Sequence, residues 1–142
     1  MPEMEKLHPT AKRHQRVRRQ HSDELAEDYV EAIYSLLQEG DGPVRVTDLQ
    51  TVFGVSHVSV IRALQRLEKR ELVDRSGAEG LQLTDAGIQM AEVAAERHDL
   101  VERFLLALGV SEPRAKADAE GIEHHLSDES LGAMRRFVDG DA

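Results

Sequence analysis

The six residues from Glu120 to His125 contain two carboxylates and two imidazoles, in a chain of 142 residues without cysteine. On an α-helix, which turns by about 100° per residue, Glu120, Glu123 and His124 project from one face. His125 is rotated about 100° away from His124 and leaves that face. Such oxygen and nitrogen donors suit Mn²⁺, Fe²⁺, Zn²⁺ or Ca²⁺ better than soft metals. The alternative is a solvated acidic helix with one core histidine, and ligands elsewhere in the chain must decide.

A second pair of carboxylates, Asp28 and Glu31, lies three residues apart in a stretch with helical periodicity. Side chains with this spacing project together, and the neighbouring Tyr29 and Val30 offer no positive charge to neutralise them. The pair is therefore a candidate for metal binding. Taken alone it also fits an ordinary solvated stripe of a helix.

The elements that would position both groups are helices. The first is predicted over residues 22–39, between a capping Ser22 and Gly40. A long helix follows from Asp85 to Gly109. The last two helices begin at Ser111, in a segment that includes Glu120 to His124, and at Ser127, ending near Val138.

Between these helices the spacing predicts a winged helix-turn-helix. Two short helices, Val46–Phe53 and Ser56–Arg70, are separated by a turn at Gly54. Two short strands, Leu72–Arg75 and Leu81–Thr84, then flank a loop that contains glycine, as in a hairpin. The predicted fold is mostly α, with a DNA-binding domain at 22–83, a helical metal-binding and dimerisation domain at 84–142, and helix 22–39 shared by both.

The second short helix has the composition of a recognition helix. Small polar residues stand near its N-terminus, where base edges are contacted, and basic residues follow, where phosphates are held. The predicted DNA-binding residues are His57, Ser59, Val60, Arg62, Arg66 and Arg75. The periodicity also directs Val60, with Leu64 and Leu67, toward the core. A plain surface helix with basic residues is the alternative.

Composition limits the class of protein. The absence of cysteine fits a reducing cytoplasm and excludes disulfides and thiolate metal sites. No apolar run approaches the roughly 20 residues of a membrane span, so a soluble protein is expected. The net charge of −9 argues against constitutive binding of nucleic acid, yet residues 1–75 are almost neutral. Bound divalent cations would help so acidic a protein to approach DNA.

Residues 1–21 are polar and basic, and we expect a flexible arm. Its function is left open between a solubilising tail and a contact with phosphates or the minor groove. The basic residues are Lys12, Arg13, Arg16, Arg18 and Arg19.

Together these patterns resemble the diphtheria-toxin-repressor family of metal-dependent regulators, in the branch of manganese transport regulators. The resemblance covers about residues 24–138. Its specific segments are Glu27–Tyr34, Arg97–Leu105, Leu108–Val110 and Asp118–Ser127.

The resemblance implies a homodimeric repressor of manganese-uptake genes with two Mn²⁺ ions in each protomer. Asp28, Glu31, His98 and Glu123, with the main-chain carbonyl of Glu120, would hold one ion. Glu31 and Glu123 would bridge to a second ion, which Glu120 and His124 would complete. Iron-responsive relatives have softer ligands at the positions of Asp28 and Glu120, so carboxylates there favour Mn²⁺. Fe²⁺, Zn²⁺, Co²⁺ or Cd²⁺ are possible substitutes.

Other features depart from the family or stay outside the ligand set. The SH3-like domain of larger members is not expected, so Glu102, which matches a ligand of their ancillary site, should be only a surface charge near His98. His125 is assigned to supporting or packing contacts. The dimer surface is expected to include Leu105, Leu106 and Leu108. The alternatives are an iron- or zinc-responsive repressor of the same fold and a helical di-metal carboxylate enzyme, although the latter usually has Glu-x-x-His on two helices.

Overall fold

The computed structural model describes residues 8–140, and its fold is mostly helical, as predicted. A winged module precedes an all-helical part. The elements are α1 (Pro9–Glu39), α2 (Val46–Phe53), α3 (His57–Lys69), β1 (Val73–Asp74), β2 (Gln82–Leu83), α4 (Asp85–Ala107), α5 (Glu112–Ile122), a 3₁₀ turn (Glu123–His125) and α6 (Asp128–Asp139).

Helix α1 begins at Pro9, so the predicted start at Ser22 is wrong. Proline suits the first turn of a helix, and the Nδ1 atom of His8 caps this one by accepting from the Thr10 N–H at 3.2 Å. The following residues are mainly lysine, arginine, glutamine and alanine, which favour helices. Residues 9–21 are therefore helical where a flexible arm was predicted, and residues 1–7 of that arm lie outside the described residues.

The helix-turn-helix matches its prediction closely. Helix α2 has the predicted bounds, Gly54 adopts the left-handed conformation that ends it, and the Ser56 hydroxyl caps α3 by accepting from the Ser59 N–H at 3.2 Å. The rings of Tyr29 and Phe53 stack with centroids 4.4 Å apart, which joins α1 to α2. The buried core of this module includes Val30, Ile33, Leu49, Val60, Leu64, Leu67, Leu72 and Leu81.

The wing is an antiparallel pair of strands in which Val73 lies opposite Leu83. Each strand has only two residues, shorter than predicted. The hairpin is joined to the module by the Leu81 N–H, which donates to the carbonyl of Val44 at 2.8 Å. The preceding Gly80 has φ of +89° and passes so close to the Val44 carbonyl that a side chain would not fit.

Helix α4 connects the winged module to the C-terminal helices. The Thr84 hydroxyl caps it by accepting from the Gly87 N–H at 3.1 Å. Buried small residues on α4 and α5, among them Ala94 and Ala119, allow the helices to approach closely. None of the helices within residues 8–140 is long and apolar enough to cross a membrane.

Helix α5 ends at Ile122. The prediction that Glu120, Glu123 and His124 share one continuous α-helix is therefore wrong, because Glu123 and His124 lie in the 3₁₀ turn. Leu126 is extended, and the Ser127 hydroxyl caps α6 by accepting from the Ser130 N–H at 3.1 Å. The chain must leave the α-helical path before this cap, and the 3₁₀ turn makes that change.

Candidate metal centre and nucleic-acid interface

A cleft between α1, α4 and α5 is lined mainly by residues that were predicted as metal ligands. Asp28 and Glu31 come from α1, His98 from α4, and Glu120 and Glu123 from the end of α5 and the turn after it; Ala95 completes the lining. Five of the six predicted ligands therefore meet in one cleft. Glu120 lies at its exposed edge.

Glu123 is the most buried of these acids, with 2% of its surface exposed. Its Oε2 atom is 3.3 Å from Nδ1 of His98, and its Oε1 atom is 3.4 Å from Nε2 of His124. The contact with His98 does not have the geometry of a hydrogen bond, so among the described residues neither Oε2 of Glu123 nor Oε1 of Glu31 has a hydrogen-bond partner. A buried carboxylate oxygen without a donor is unfavourable, and a cation in the cleft would satisfy both atoms. The donor set thus fits a hard divalent metal.

Burial, helped by neighbouring carboxylates, raises the pKa of three acids in the cleft. Burial raises the pKa of Glu123 to about 8, and the charge of Glu31 adds to the effect. Burial also raises the pKa of Glu31 to about 7, with Asp28 as its main charged neighbour. The pKa of Asp28 is raised as well, mainly by burial. Without a cation, the cleft holds protons near neutral pH.

His124 is held beside the cleft by Glu27. Its side chain is 2% exposed, its Nδ1 atom lies 2.5 Å from Oε2 of Glu27, and its Nε2 atom lies 3.3 Å from Oδ1 of Asp28. Burial alone would lower the pKa of His124, but the hydrogen bond to Glu27 and the charges of Asp28 and Glu123 outweigh it and raise the pKa. With Nδ1 bound to Glu27, Nε2 is the nitrogen available to a metal.

The two remaining imidazoles also have carboxylate partners. Nε2 of His98 lies 3.3 Å from Oε2 of Glu102, which is only 24% exposed. Glu102 is therefore close to His98, as predicted, although it is half-buried. Nε2 of His125 lies 3.3 Å from Oε2 of Glu24, outside the lining of the cleft.

Two acids that the sequence interpretation left out of the site belong to its surroundings. Glu24, Asp28 and His124 bring donor atoms within 4.8 Å of one another. Glu24 stands four residues before Asp28, so helical spacing was a signal for it. Glu27 connects His124 to Arg97, whose guanidinium donates to Oε1 of Glu27 at 3.2 Å. Spacing gave no signal for that contact, because it joins three separate elements.

The predicted DNA-binding residues divide into an exposed and a buried group. His57, Ser59, Arg62 and Arg66 are exposed on α3. Val60 is fully buried in the core, so its assignment to DNA contact is wrong, and the periodicity that directed it inward was correct. The valine that α3 exposes near its N-terminus is Val58, at 55%.

Arg75, at the base of the wing, is half-buried and contacts Oε1 of Glu68 through a guanidinium nitrogen at 3.0 Å. It therefore joins the hairpin to α3. Apolar side chains are exposed on the C-terminal helices, including Leu106, Leu108 and Phe137. The predicted Leu105 is half-buried.

Two family models match successive parts of the chain. Residues 23–81 match the N-terminal DNA binding domain of the iron dependent repressor, and residues 84–140 match its metal binding and dimerisation domain. The sequence is 44% identical over 122 residues to the transcriptional regulator MntR of Escherichia coli O157:H7, which covers 86% of this chain and 78% of the relative. The MntR of Salmonella typhi is 43% identical over 122 residues, covering 86% and 77%.

Solved structures have a similar fold. The manganese regulator SloR superposes with a TM-score of 0.70 at 28% identity over 80% of this chain and 53% of that chain. The structure of ScaR with bound Zn²⁺ gives a TM-score of 0.71 at 27% identity, with coverage of 80% and 53%. The chain thus spans about half the length of these solved proteins.

Proposed function

The chain belongs to the iron-dependent repressor family, that of the diphtheria toxin repressor, and from this premise we propose that it is a Mn²⁺-dependent transcriptional repressor. The family comprises transcriptional regulators, so the alternative of a di-metal carboxylate enzyme is discarded. In this function the protein would be a cytoplasmic homodimer that binds operator DNA. It would repress manganese-uptake genes when Mn²⁺ is plentiful.

The observation that supports the metal centre is the pair of buried acceptors, Oε1 of Glu31 and Oε2 of Glu123, which lack donors among the described residues. In a binuclear site, Glu31 and Glu123 would be ligands shared by both ions. Asp28, His98 and the main-chain carbonyl of Glu120 would complete the ligands of one ion, and the Glu120 side chain and His124 those of the other. Bound cations would neutralise the carboxylates that repel one another in the cleft.

Manganese is favoured because the set consists of carboxylates and imidazoles, without a thiolate or thioether. Zn²⁺, Fe²⁺, Co²⁺ and Cd²⁺ bind the same donor types and would be substitutes. ScaR, a manganese-activated repressor by name, has been solved with bound Zn²⁺ and with Cd²⁺. Titrations with DNA binding as the readout must therefore compare metals.

Helix α1 provides the physical link between metal and DNA. Asp28 and Glu31 face the cleft, whereas Tyr29, Val30 and Ile33 of the same helix are buried in the core of the winged module. A change in the position of the two acids must therefore be accompanied by a change at the base of α3. In a symmetric dimer this sets the separation of two recognition helices, which must match half-sites about one helical turn apart.

On the DNA side, His57 and Ser59 are proposed to contact bases, and Arg62, Arg66 and Arg75 to contact phosphates. Arg75 would have to leave or share Glu68 to do so. The exposed methyl groups of Val58 add an apolar group suited to the methyl of thymine.

The test measures DNA affinity with and without MnCl₂. A random duplex about three helical turns long is first enriched with the protein and MnCl₂, and the enriched sequence serves as the probe. We expect Mn²⁺ to raise the affinity of the wild type by about 5- to 150-fold. Glu123→Gln should abolish this response, because it removes a bridging charge. Glu112→Gln, an exposed acid of α5, should leave the response intact.

The outcomes separate the candidates. A response to FeSO₄ or ZnCl₂ at concentrations where MnCl₂ has no effect would indicate an iron- or zinc-responsive repressor instead. Affinity that is equal with every metal, and equal in the wild type and Glu123→Gln, would refute the proposed function.

A further inference from the structure

The N-terminal part of α1, residues 9–21, forms a helical extension whose stability is not explained by the core. The core of the winged module begins at Ala26. Within the extension, the described side chains are exposed or half-buried, and its one large aliphatic residue, Val17, is 52% exposed. The extension also precedes residue 23, where the match to the DNA-binding domain model starts.

The charge of the helical extension is opposite to that of the whole protein. Residues 9–21 contain five basic residues and no acidic residue, whereas the chain has a net charge of −9. Lys12, Arg13 and Arg18 are exposed. A basic segment whose sequence contains no acidic residue suits a polyanion.

The position of the extension relates it to α3. Arg70, at the end of α3, contacts Asp23 of α1 at 3.4 Å. Ser22 lines a small cavity together with Arg66 and Arg70. Arg18 lies one helical turn before Ser22 on the same face of α1, as spacing by four requires. The face of α1 that carries Arg18 and Ser22 is thus the face that meets the basic end of α3.

From these observations we infer that the helical extension binds the phosphates of the duplex beside the operator. The inference rests on the proposed DNA-binding function. Thirteen helical residues span about 20 Å, which corresponds to about six base pairs at 3.4 Å per pair along a strand. The contacts would not depend on base sequence, because phosphates are the same at every step. They would offset part of the repulsion between an acidic protein and DNA.

The test compares two triple variants of the full-length chain in MnCl₂. One is Lys12→Gln/Arg13→Gln/Arg18→Gln in the extension, and glutamine keeps its helix propensity. The matched control is Arg114→Gln/Lys116→Gln/Arg136→Gln, three exposed basic residues of α5 and α6. Both remove the same charge, so a long-range effect of net charge would appear in both.

The readout is the dependence of affinity on salt. Each lost phosphate contact reduces the slope of log affinity against log salt by about 0.9. If two or three contacts are lost, the wild type should lose about 10- to 40-fold more affinity than the extension variant between 50 and 200 mM salt, roughly as counterion release predicts. The control should keep the slope of the wild type. Removing about six flanking base pairs should weaken the wild type and not the extension variant.

Wild-type slopes in both variants, with Mn²⁺-dependent binding preserved, would overturn the inference and leave the proposed function standing. A changed dimer dissociation constant in sedimentation, with an unchanged salt slope, would also overturn it, because the extension would then contact a second copy. Absence of Mn²⁺-dependent binding in the wild type itself would refute the proposed function instead.

Discussion

Oε2 of Glu27 lies 2.5 Å from Nδ1 of His124, although 97 residues separate the two in sequence. The other oxygen of Glu27 accepts from Arg97 at 3.2 Å. The contact between Glu27 and His124 fixes the orientation of the imidazole ring and directs its Nε2 atom toward Asp28 and Glu123. A carboxylate in this position also makes the imidazole a more basic ligand.

Glu27→Gln should therefore weaken Mn²⁺ binding without removing a ligand. An amide is a poorer acceptor than a carboxylate, and loss of such a supporting contact typically reduces metal affinity by about 10- to 100-fold. Titration calorimetry with MnCl₂ measures the change. Glu39→Gln, an exposed acid at the other end of α1, is the control. Equal affinities for the two variants would contradict a supporting role of Glu27.

Mn²⁺ affinity should rise with pH between about 6 and 8.5. Glu31 and Glu123 have pKa values raised to about 7 and about 8, so metal must displace protons from them below these values. Affinity should increase by up to about tenfold per pH unit for each proton released. Calorimetry in buffers of different ionisation enthalpy counts these protons. Affinity independent of pH over this range would contradict the raised values.

Without metal, the folded protein should become less stable as the pH rises, over a range that overlaps the one in which Mn²⁺ affinity increases. The folded state holds protons on Glu31 and Glu123 up to about pH 7 and 8, whereas an unfolded glutamate loses its proton near 4.5. The folded state therefore binds more protons, and the free energy of unfolding falls as pH rises from about 4.5 to 8. Melting temperatures in EDTA should show this fall. Glu31→Gln/Glu123→Gln should flatten it.

Gly87→Ala should destabilise the junction between the wing and α4. A Cβ at Gly87 would lie 2.2 Å from the carbonyl oxygen of Leu72, a backbone atom that cannot move away by rotation. Overpacking of this kind costs about 1–3 kcal/mol, and each kcal/mol lowers the melting temperature by about 2–4 °C. In Gly121→Ala the new methyl group meets nothing within 4 Å, so this control should be neutral or slightly stabilising.

Substitution of Val60 should reduce the stability of the protein, whereas substitution of Val58 should reduce its DNA specificity. Val60→Ala removes two methylene equivalents from a fully buried site and should cost about 2 kcal/mol, with operator affinity lost only through unfolding. Val58→Ser should leave the melting temperature within about 2 °C and reduce preference for the enriched operator over random DNA. If Val60→Ala changed the DNA specificity and Val58→Ser did not, the assignment of Val58 to DNA contact and of Val60 to the core would be wrong.

The sequence was most informative where single residues fix a local conformation. Gly54 and Ser56 determine the turn and the start of α3, and both predictions are confirmed. Ser22 resembled an N-cap equally well, but it lies inside α1, because the residues before it favour a helix and Pro9 provides an earlier start. A cap residue is informative only when the preceding chain cannot continue the helix.

The sequence predicted most of the residues that line the cleft, but not how they are arranged. Spacing and resemblance identified Asp28, Glu31, His98, Glu120 and Glu123, which share one lining. The sequence predicted that the last helix begins at Ser127, but not that α5 ends at Ile122, before Glu123 and His124. Glu27 was missed because tertiary packing alone decides which of several neighbouring acids meets an imidazole.

Helix α1 runs without interruption from Pro9 to Glu39 and contains no glycine and no further proline, the residues at which helices usually kink. Asp28 stands 19 residues from Pro9, about 28 Å along the axis. A tilt of about 5° at Asp28 would displace the Pro9 end by roughly 2.5 Å, enough to make or lose a hydrogen bond to a phosphate. A sub-ångström adjustment of α1 at the cleft would therefore become an ångström-scale displacement at its basic end.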